Sequence, residues 1–388
     1  MNLRVAETAA FGFKLVPVAV AVFVAASWAP RAHGGSSLLF LIGLNTGIHD
    51  GPQTAMAAHL VSANSVRIDA PWRDIEHVKG QYEIPDWLQK RVSSAISLNM
   101  TPLVILEYGN PLYGGGKPLT AASRLAFARY AEFVVKSFRG QVRLFELWNE
   151  WAGNAGNTRP ASAWAYISLA RIAYPAIKRA NAQAVVLSGG IFDLTHGDER
   201  WFREFLAFGG LRFVDALSVH PYDFQRGSDG TPYLEILQVE HMHTLAMTAN
   251  GGRAVDVYVS EMGYPDNTGL GGHASEVVAA YLERFMLLAA AHPWVRGVWW
   301  YGLRNQGTNR SDPESNFGLY GFNFEQKPQA RAFARVATFL RSVSALSLTA
   351  TGARSPQTFE ATCSAGKRVT IELPADPASA PDLPKCEE

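Results

Sequence analysis

The most informative segment of the chain is Leu144-Phe145-Glu146-Leu147-Trp148-Asn149-Glu150-Trp151. It begins as an apolar strand and ends on an amide and a carboxylate, Asn149 and Glu150. A second apolar run, Val257-Tyr258-Val259-Ser260-Glu261, also ends on a carboxylate, 261 − 150 = 111 residues further along. Short, continuous apolar runs are typical of parallel strands that are buried on both faces. If strands and helices alternate between the two runs, both acids lie at one edge of a parallel sheet.

Such alternation extends over most of the chain. Eight apolar runs are found, at Leu38–Leu44, Ser65–Ile68, Pro102–Leu106, Val142–Leu147, Ala184–Leu187, Ala216–Val219, Val255–Val259 and Val295–Trp299. Helical patterns lie between them, starting at Asp86 (as N-cap), Thr120, Ala163, Ser275 and Pro328, with weaker patterns within 52–63, 198–208 and 232–249. No Gly-x-Gly-x-x-Gly follows the first run, which argues against a dinucleotide-binding open sheet. The pattern therefore predicts an α/β fold, a (β/α)8 TIM barrel.

The first 34 residues read as a targeting segment. Arg4 and Lys14 precede an apolar run, Leu15–Ala29, which is followed by small residues at Ala32-His33-Gly34. This order is typical of a secretory signal. The apolar run is shorter than the roughly 20 residues that a membrane span needs. We expect an extracytoplasmic protein, periplasmic or secreted, with an uncleaved N-terminal membrane anchor as the alternative.

The remaining chain divides into a barrel at 35–343 and a small C-terminal β-appendage with a Pro/Ala-rich tail at 344–388. Leu346–Thr349 and Val369–Leu373 show the alternation of strands. The two cysteines, Cys363 and Cys386, both lie in this last part. In an exported protein they could form one disulfide that clamps the tail, and the alternative is two free thiols.

Composition excludes several classes of function. The net charge is +1 and only 18% of residues are charged, so the basic stripe that nucleic-acid binding needs is absent. Ten Trp are present; a few could stack on sugars, although most Trp pack in cores. No paired His or His/Asp cluster follows the strands, so we expect neither a metal nor a cofactor. A monomer is expected.

In a barrel of this type the functional residues lie where the strands end. Val257, Val259 and Glu261 point to the same face of their strand, because successive side chains alternate between the two faces. This inward face is therefore apolar up to the carboxylate of Glu261. Glu150 ends the other run beside Asn149, whose amide could bind a sugar hydroxyl. A lone Glu in this position could equally cap a helix or form a salt bridge in the loop.

Four further residues are candidates for the same cleft. His220 and Tyr222 share parity after the sixth strand and could hold a carboxylate ionised by lowering its pKa; alone, His220 could be a structural histidine. Arg67 would need an anionic partner inside the barrel, for which Glu261 is the candidate. Trp300 is predicted to offer a flat face to sugar C–H groups. Glu146 lies deeper, so we expect it to pair with Arg67 rather than to take part in the reaction.

Two carboxylates that face each other across a cleft are what cleavage of a glycosidic bond requires. The sequence therefore predicts a glycoside hydrolase in which Glu150 and Glu261 are catalytic and Asn149, Arg67, His220, Tyr222 and Trp300 bind substrate.

Motifs at three strand ends resemble those of the clan A retaining glycoside hydrolases. They are Trp148-Asn149-Glu150, His220-Pro221-Tyr222 and Ser260-Glu261-Met262-Gly263. The nearest likeness is glycoside hydrolase family 39 and its bacterial exopolysaccharide-hydrolase branch, over roughly residues 38–342. The resemblance implies that Glu150 is the acid/base and Glu261 the nucleophile of a double displacement on a poly- or oligosaccharide, with a bacterial exopolysaccharide as one candidate. Trp151 departs from the family, where many relatives carry Pro after the acid.

Two alternatives stay open at this point. A transglycosylase would use the same two acids but pass the sugar to another sugar instead of water. A non-catalytic carbohydrate-binding or biosynthesis-associated barrel would keep the fold, and it would be expected to lack one of the carboxylates.

Overall fold

A computed structural model of the chain describes residues 40–47, 50–51, 53–192, 198–349 and 357–386. The strands in these residues are β1 (Leu41–Asn45), β2 (Ser65–Pro71), β3 (Thr101–Glu107), β4 (Leu144–Leu147), β5 (Val185–Leu187), β6 (Ile191–Phe192), β7 (Leu217–His220), β8 (Val257–Met262), β9 (Val295–Trp300), β10 (Val343–Leu348), β11 (Thr358–Cys363) and β12 (Arg368–Glu372). The helices are α1 (Gln53–Leu60), α2 (Trp72–Ile75), α3 (Asp86–Ser97), α4 (Ala121–Ser137), α5 (Ala163–Ala180), α6 (Asp198–Ala207), α7 (Pro232–Ala249), α8 (Ser275–Ala290) and α9 (Pro328–Ser342). The predicted targeting segment lies outside the described residues and stays a prediction.

The predicted barrel is confirmed. β1 pairs in parallel with β2 on one side and with β9 on the other. The sheet continues through β3, β4 and β5 in one direction and through β8, β7 and β6 in the other. β5 and β6 together occupy the fifth strand position of the barrel. A parallel bridge between Leu187, at the end of β5, and Ala216, just before β7, links the two ends of the sheet. Because all strands run the same way, their carboxyl ends meet at one rim.

A layer of apolar side chains fills the barrel below that rim. It consists of Leu103, Leu144, Leu187, Ala216, Tyr258 and Trp299. The Trp299 indole N–H donates to Ser65 Oγ at 3.0 Å. Gly43 makes room for this ring, since a Cβ there would lie 2.2 Å from it. Arg67 and Glu146 are the next inward-facing residues on β2 and β4. The polar residues at the strand ends therefore lie directly on this apolar layer.

The helices pack their apolar stripes on the outside of the barrel. α4 begins with a capping box in which Thr120 and Ser123 each accept a hydrogen bond from the other's backbone N–H. The prediction that Asp86 caps α3 is wrong by one position, because Pro85 precedes the helix in an extended conformation and Asp86 is its first residue. Within the described part of the chain, no helix is both long and apolar enough to cross a membrane.

The C-terminal appendage is a three-stranded antiparallel sheet in the order β10-β11-β12. The sequence predicts the outer two strands and misses β11, whose buried positions are held partly by Ala361 and Cys363 and so give a weak apolar signal. Behind it, the fully buried Arg284 of α8 donates to the carbonyls of Pro374, Asp376 and Ser379. The tail is therefore held by its backbone against the barrel.

Cys363 and Cys386 form a disulfide with a Cα–Cα distance of 5.4 Å, so the alternative of free thiols is wrong. The bridge closes a loop over a sequence separation of 23 residues. We expect replacement of both cysteines by Ser to lower the free energy of unfolding by about 3 kcal/mol, because the unfolded chain regains the freedom that the loop removes. Urea unfolding of this variant and of reduced wild type should give the same midpoint. An unchanged midpoint would contradict the prediction.

Candidate active site

Arg67 lies at the centre of the polar layer and connects three strands. Its guanidinium donates to Glu146 Oε2 at 2.7 Å, to Asn45 Oδ1 at 2.8 Å and to Asn149 Oδ1 at 2.8 Å. It also forms an ion pair with Glu261. Burial opposes its charge, but Glu146 and Glu261 outweigh burial and hold the pKa of Arg67 well above its usual value. The predicted pairing of Arg67 with Glu261 is therefore present, and Glu146 is a second partner.

Glu146 is the buried anion beneath the site. It accepts hydrogen bonds from Ser218 Oγ at 2.7 Å and Ser260 Oγ at 3.2 Å, in addition to Arg67. Burial alone would raise the pKa of Glu146, but Arg67 and His220 outweigh burial and lower it to about 2. Glu146 is thus saturated with donors and ionised, which fits the structural role predicted for it.

His220 stands between the two candidate catalytic acids. Its Nδ1 lies 2.9 Å from Glu150 Oε1 and 3.7 Å from Glu261 Oε2, and its Nε2 lies 2.9 Å from Ser260 Oγ. Burial would lower the pKa of His220, but the carboxylates of Glu261, Glu146 and Glu150 outweigh burial and raise it to about 9. At neutral pH the ring is therefore a cation that donates from both nitrogens.

Glu150 and Glu261 face each other at the rim. One oxygen from each carboxylate and a ring nitrogen of His220 all lie within 4.8 Å of one another. The Tyr222 hydroxyl donates to Glu261 Oε2 at 3.3 Å. Burial raises the pKa of Glu261, although His220 and Arg67 oppose the rise. The lowered carboxylate pKa predicted from sequence is therefore wrong for Glu261, because the loss of hydration exceeds the attraction of the two cations.

Three left-handed backbone conformations shape this rim. Trp148 has φ 76° and Glu150 has φ 47°, values that bulky residues rarely adopt. They turn the chain sharply after β4 and direct the Glu150 side chain to His220. Gly190, between β5 and β6, has φ 45°, and a Cβ there would lie 2.5 Å from the His220 ring. The interruption of the fifth strand therefore makes space for His220.

Asn149 is held from both sides of its amide. Its Oδ1 accepts from Arg67, and its Nδ2 donates to the Tyr108 hydroxyl at 2.8 Å. Asn149 also lines the cavity. The side chain is therefore oriented before any substrate arrives, as a group that reads a sugar hydroxyl should be.

Trp300 does not reach the cavity. Its ring is fully buried and packs toward Tyr264 with ring centroids 6.3 Å apart. Side chains alternate along β9, so Trp299 points into the barrel floor, Trp300 points outward, and Tyr301, one residue later, lines the cavity. The prediction placed the aromatic rim residue one position too early, because the strand continues further than its apolar run indicated.

The rim encloses a cavity of about 560 Å³ above the two acids. The described residues that line it are Asn45, Thr46, Gly47, Arg67, Asp69, Tyr108, Asn149, Glu150, Ala155, Gly156, Tyr222, Phe224, Gln225, Glu261, Tyr301, Gly302, Gln306, Glu314 and Phe317. Of the residues predicted to bind substrate or react, His220 lies directly behind this wall and Trp300 lies outside it. The others line the cavity.

Several lining residues were missed by sequence reasoning. Asp69 lies two residues after Arg67 on β2, so both side chains point into the barrel and line the cavity. This spacing could have predicted Asp69 from the sequence. Beneath it, Glu107 is fully buried at the end of β3; burial, together with the charge of Asp69, raises the pKa of Glu107 well above its usual value. Glu314 lies in a loop after β9 and gave no such signal.

The cluster of Glu150, His220 and Glu261 has the spacing of a metal site. The three residues come from the ends of three different strands, as their sequence positions predicted, although no metal was expected there. Glu261 is already paired with the guanidinium of Arg67, and the neighbouring carboxylates raise the pKa of His220 to about 9, so a guanidinium and a proton are favoured beside these carboxylates. A divalent ion would have to displace them, so the donor set fits proton transfer better than metal binding.

No protein-family model matches the chain, and no curated protein sequence is significantly similar to it. Several solved structures are similar to the structure of this chain. A family 39 glycoside hydrolase from the gut symbiont Bacteroides cellulosilyticus WH2 shares 25% identity over 88% of this chain and 72% of its own, with a TM-score of 0.73. Two more distant likenesses show the shared fold. A GH5_18 structure from Streptomyces cattleya in complex with GlcNAc shares 15% identity over 83% of each chain, with a TM-score of 0.64.

The other distant structure is a monomeric beta-xylosidase from Caulobacter crescentus CB15, at 17% identity over 85% of this chain and 75% of its own, with a TM-score of 0.59. The similarity to clan A glycoside hydrolases that the strand-end motifs indicated is therefore confirmed.

Proposed function

We propose that this chain, a glycosidase by its likeness to the structures above, is a retaining glycoside hydrolase that cleaves O-glycosidic bonds of a poly- or oligosaccharide by double displacement. The observation that carries the proposal is the separation of the two acids, whose nearest oxygens lie within 4.8 Å. Retaining enzymes hold their carboxyl groups about 5–5.5 Å apart, whereas inverting enzymes need about 6.5–9.5 Å to admit a water molecule.

In the first step Glu261 attacks the anomeric carbon and forms a glycosyl ester. The bond from that carbon to the leaving oxygen breaks, and protonated Glu150 gives its proton to that oxygen. Arg67 and Tyr222 contact the attacking carboxylate and hold it in place. Asn149 would bind a hydroxyl next to the reacting carbon, where hydrogen bonds strengthen in the transition state.

In the second step Glu150, now ionised, accepts a proton from water, and the water oxygen attacks the anomeric carbon. The ester bond to Glu261 breaks and the carboxylate is restored. The imidazolium of His220 lies against Glu150 and stabilises the carboxylate that forms there during the first step. Both halves of the reaction thus use the same two acids, with opposite proton transfers at Glu150.

The charges of the cavity limit the sugars that fit. The described lining residues include four acids, Asp69, Glu150, Glu261 and Glu314, against one cation, Arg67, which is already paired with Glu146 and Glu261. A sugar carboxylate at the reacting position would meet like charges without a free partner. We therefore propose a neutral glycan, including a neutral exopolysaccharide. The disulfide supports an extracytoplasmic location, where such bonds persist.

The test is a panel of aryl α- and β-glycosides and polysaccharides, with the product anomer followed by NMR from the first minutes. We expect the product to keep the anomeric configuration of the substrate. Matched uronides should show roughly 100-fold lower kcat/KM than neutral glycosides, because of the like charges. Inverted product would contradict the mechanism. Transfer to a sugar in preference to water would indicate the transglycosylase, and no turnover of any substrate would indicate the non-catalytic alternative.

A further inference from the structure

Lys117 is a buried lysine that the proposed mechanism does not use. It lies in the connection between β3 and α4 and is 8% exposed. Its Nζ donates to Gly153 O at 3.0 Å, Thr158 Oγ1 at 2.6 Å and Arg159 O at 2.8 Å. All three acceptors belong to the loop that directly follows Glu150, residues 151–159. Because an ammonium group has three hydrogens to donate, each of them is used on this loop.

The 151–159 loop carries one wall of the cavity. Ala155 and Gly156 line the cavity. Gly156 has φ 63° and lies so close to the Tyr108 ring that a Cβ would be 2.6 Å from it. The Tyr108 hydroxyl in turn accepts the hydrogen bond of Asn149. The position of the loop is thus linked to Asn149 as well as to Glu150, whose carbonyl accepts from the Gly153 N–H at 3.1 Å.

The lysine also carries its charge close to the acid. Its Nζ lies 5.9 Å from the Trp148 ring centroid and 5.7 Å from that of Trp151, the two residues that flank Asn149-Glu150. Trp151 is fully buried, and its indole N–H donates to Ser162 O at 3.3 Å. The two indole rings and the ammonium group therefore pack together beside the turn that carries Glu150.

We propose that Lys117 is a positioning residue for the acid/base, whose ammonium ties the 151–159 loop to the β3–α4 connection and so holds Glu150 and the Ala155–Gly156 wall in the reacting arrangement. This inference rests on the proposed function, since it assigns Glu150 the proton-transfer role.

The tie depends on the charge of Lys117. Burial lowers the pKa of Lys117 to about 8, with Glu150 opposing the fall. Glu150 is the charged group that acts on the Lys117 ammonium, and Arg159, whose backbone carbonyl accepts from that ammonium, has an exposed side chain. Below about pH 8 Lys117 is charged and donates three hydrogen bonds; above it the neutral amine donates two and attracts Glu150 less. The loop should therefore loosen as the pH rises through this value.

The test uses Lys117→Met, Lys117→Arg and, as a matched control, Lys79→Met at an exposed lysine. For Lys117→Met at pH 7, we expect about 50-fold lower kcat/KM on a phenyl glycoside, which needs the acid, and less than about fivefold on the 2,4-dinitrophenyl glycoside, which does not. Wild-type kcat/KM on the phenyl glycoside should fall above about pH 8. Lys117→Met should lack the fall near pH 8 and keep only a later fall from His220, whose pKa is about 9, and Lys117→Arg, which stays charged, should move the first fall to higher pH.

Hydrogen exchange of the 151–159 amides gives a second readout that needs no substrate. We expect at least about tenfold faster exchange in Lys117→Met and wild-type exchange in the control, since loop opening follows local stability. Equal losses on both glycosides, or an unchanged exchange rate with wild-type kinetics, would overturn the proposal. If wild type hydrolyses no glycoside, the proposed function fails, and the exchange experiment alone then decides whether Lys117 holds the loop.

Discussion

Glu261→Gln should reduce kcat by about 10⁵-fold on every substrate of the enzyme, including those with good leaving groups. An amide cannot attack the anomeric carbon to form the ester, so both steps of the double displacement are lost. Gln keeps the size of the side chain and can still contact Arg67 and Tyr222, so the fold of the site should survive. Stopped assays on the best panel substrate, with thermal unfolding measured alongside, check this result.

A matched Glu→Gln control is available at Glu276, which is exposed in the first turn of α8 and is not among the described residues that line the cavity. It should keep wild-type turnover. Trapping with a 2-deoxy-2-fluoro glycoside should label the wild-type peptide that contains Glu261 and leave Glu261→Gln unlabelled. A label on another residue, or turnover by Glu261→Gln within tenfold of wild type, would show that the nucleophile is wrongly assigned.

Glu150→Ala should produce a different and diagnostic loss. We expect kcat/KM to fall by about 10³–10⁴-fold on a phenyl glycoside and less than about tenfold on a 2,4-dinitrophenyl glycoside, because only the poor leaving group needs a proton. The second step also lacks its base, so the ester at Glu261 should accumulate. Azide, which needs no base, should restore kcat and give a glycosyl azide that retains the anomeric configuration.

The control for this experiment is Glu261→Ala, which should not give the same retained azide product, because no ester forms in it. Equal losses of Glu150→Ala on both leaving groups, with no azide rescue, would remove Glu150 from the acid/base role. The cavity would then need another proton donor, and Glu314, whose pKa is raised by burial with the charge of Glu261 adding to the rise, would be the first to examine.

Most of the barrel was readable in the sequence. The eight strand positions follow from apolar runs that are buried on both faces, and the helices between them follow from their apolar stripes and from caps such as Thr120. The interruption of the fifth strand could not be predicted from the sequence, because it depends on the space that the His220 ring of β7 occupies. β11 escaped notice because its buried face uses small residues. These are contacts between segments distant in sequence, which a local pattern does not contain.

The candidate site shows the same division. Arg67, Glu150, His220 and Glu261 could be placed near one another because strand parity and the common rim leave them few alternatives. The same rule fails at Trp300, because an error of one residue in the end of β9 exchanges the residues that face the barrel interior with those that face outward. It also misses Lys117, which lies in a loop, and Glu314, which lies beyond the last barrel strand.

Local periodicity and strand-end chemistry were thus enough to predict the architecture and the class of reaction and to place two candidate acids at one rim, because these depend on which residues occur at which step of each strand. Protonation and fine positioning depend on three-dimensional neighbours. Burial raises the pKa of Glu261 against two cations, three carboxylates raise the pKa of His220 to about 9, and a lysine from another loop holds the turn after Glu150. Each of these effects depends on hydration and distance, which arise when the barrel closes.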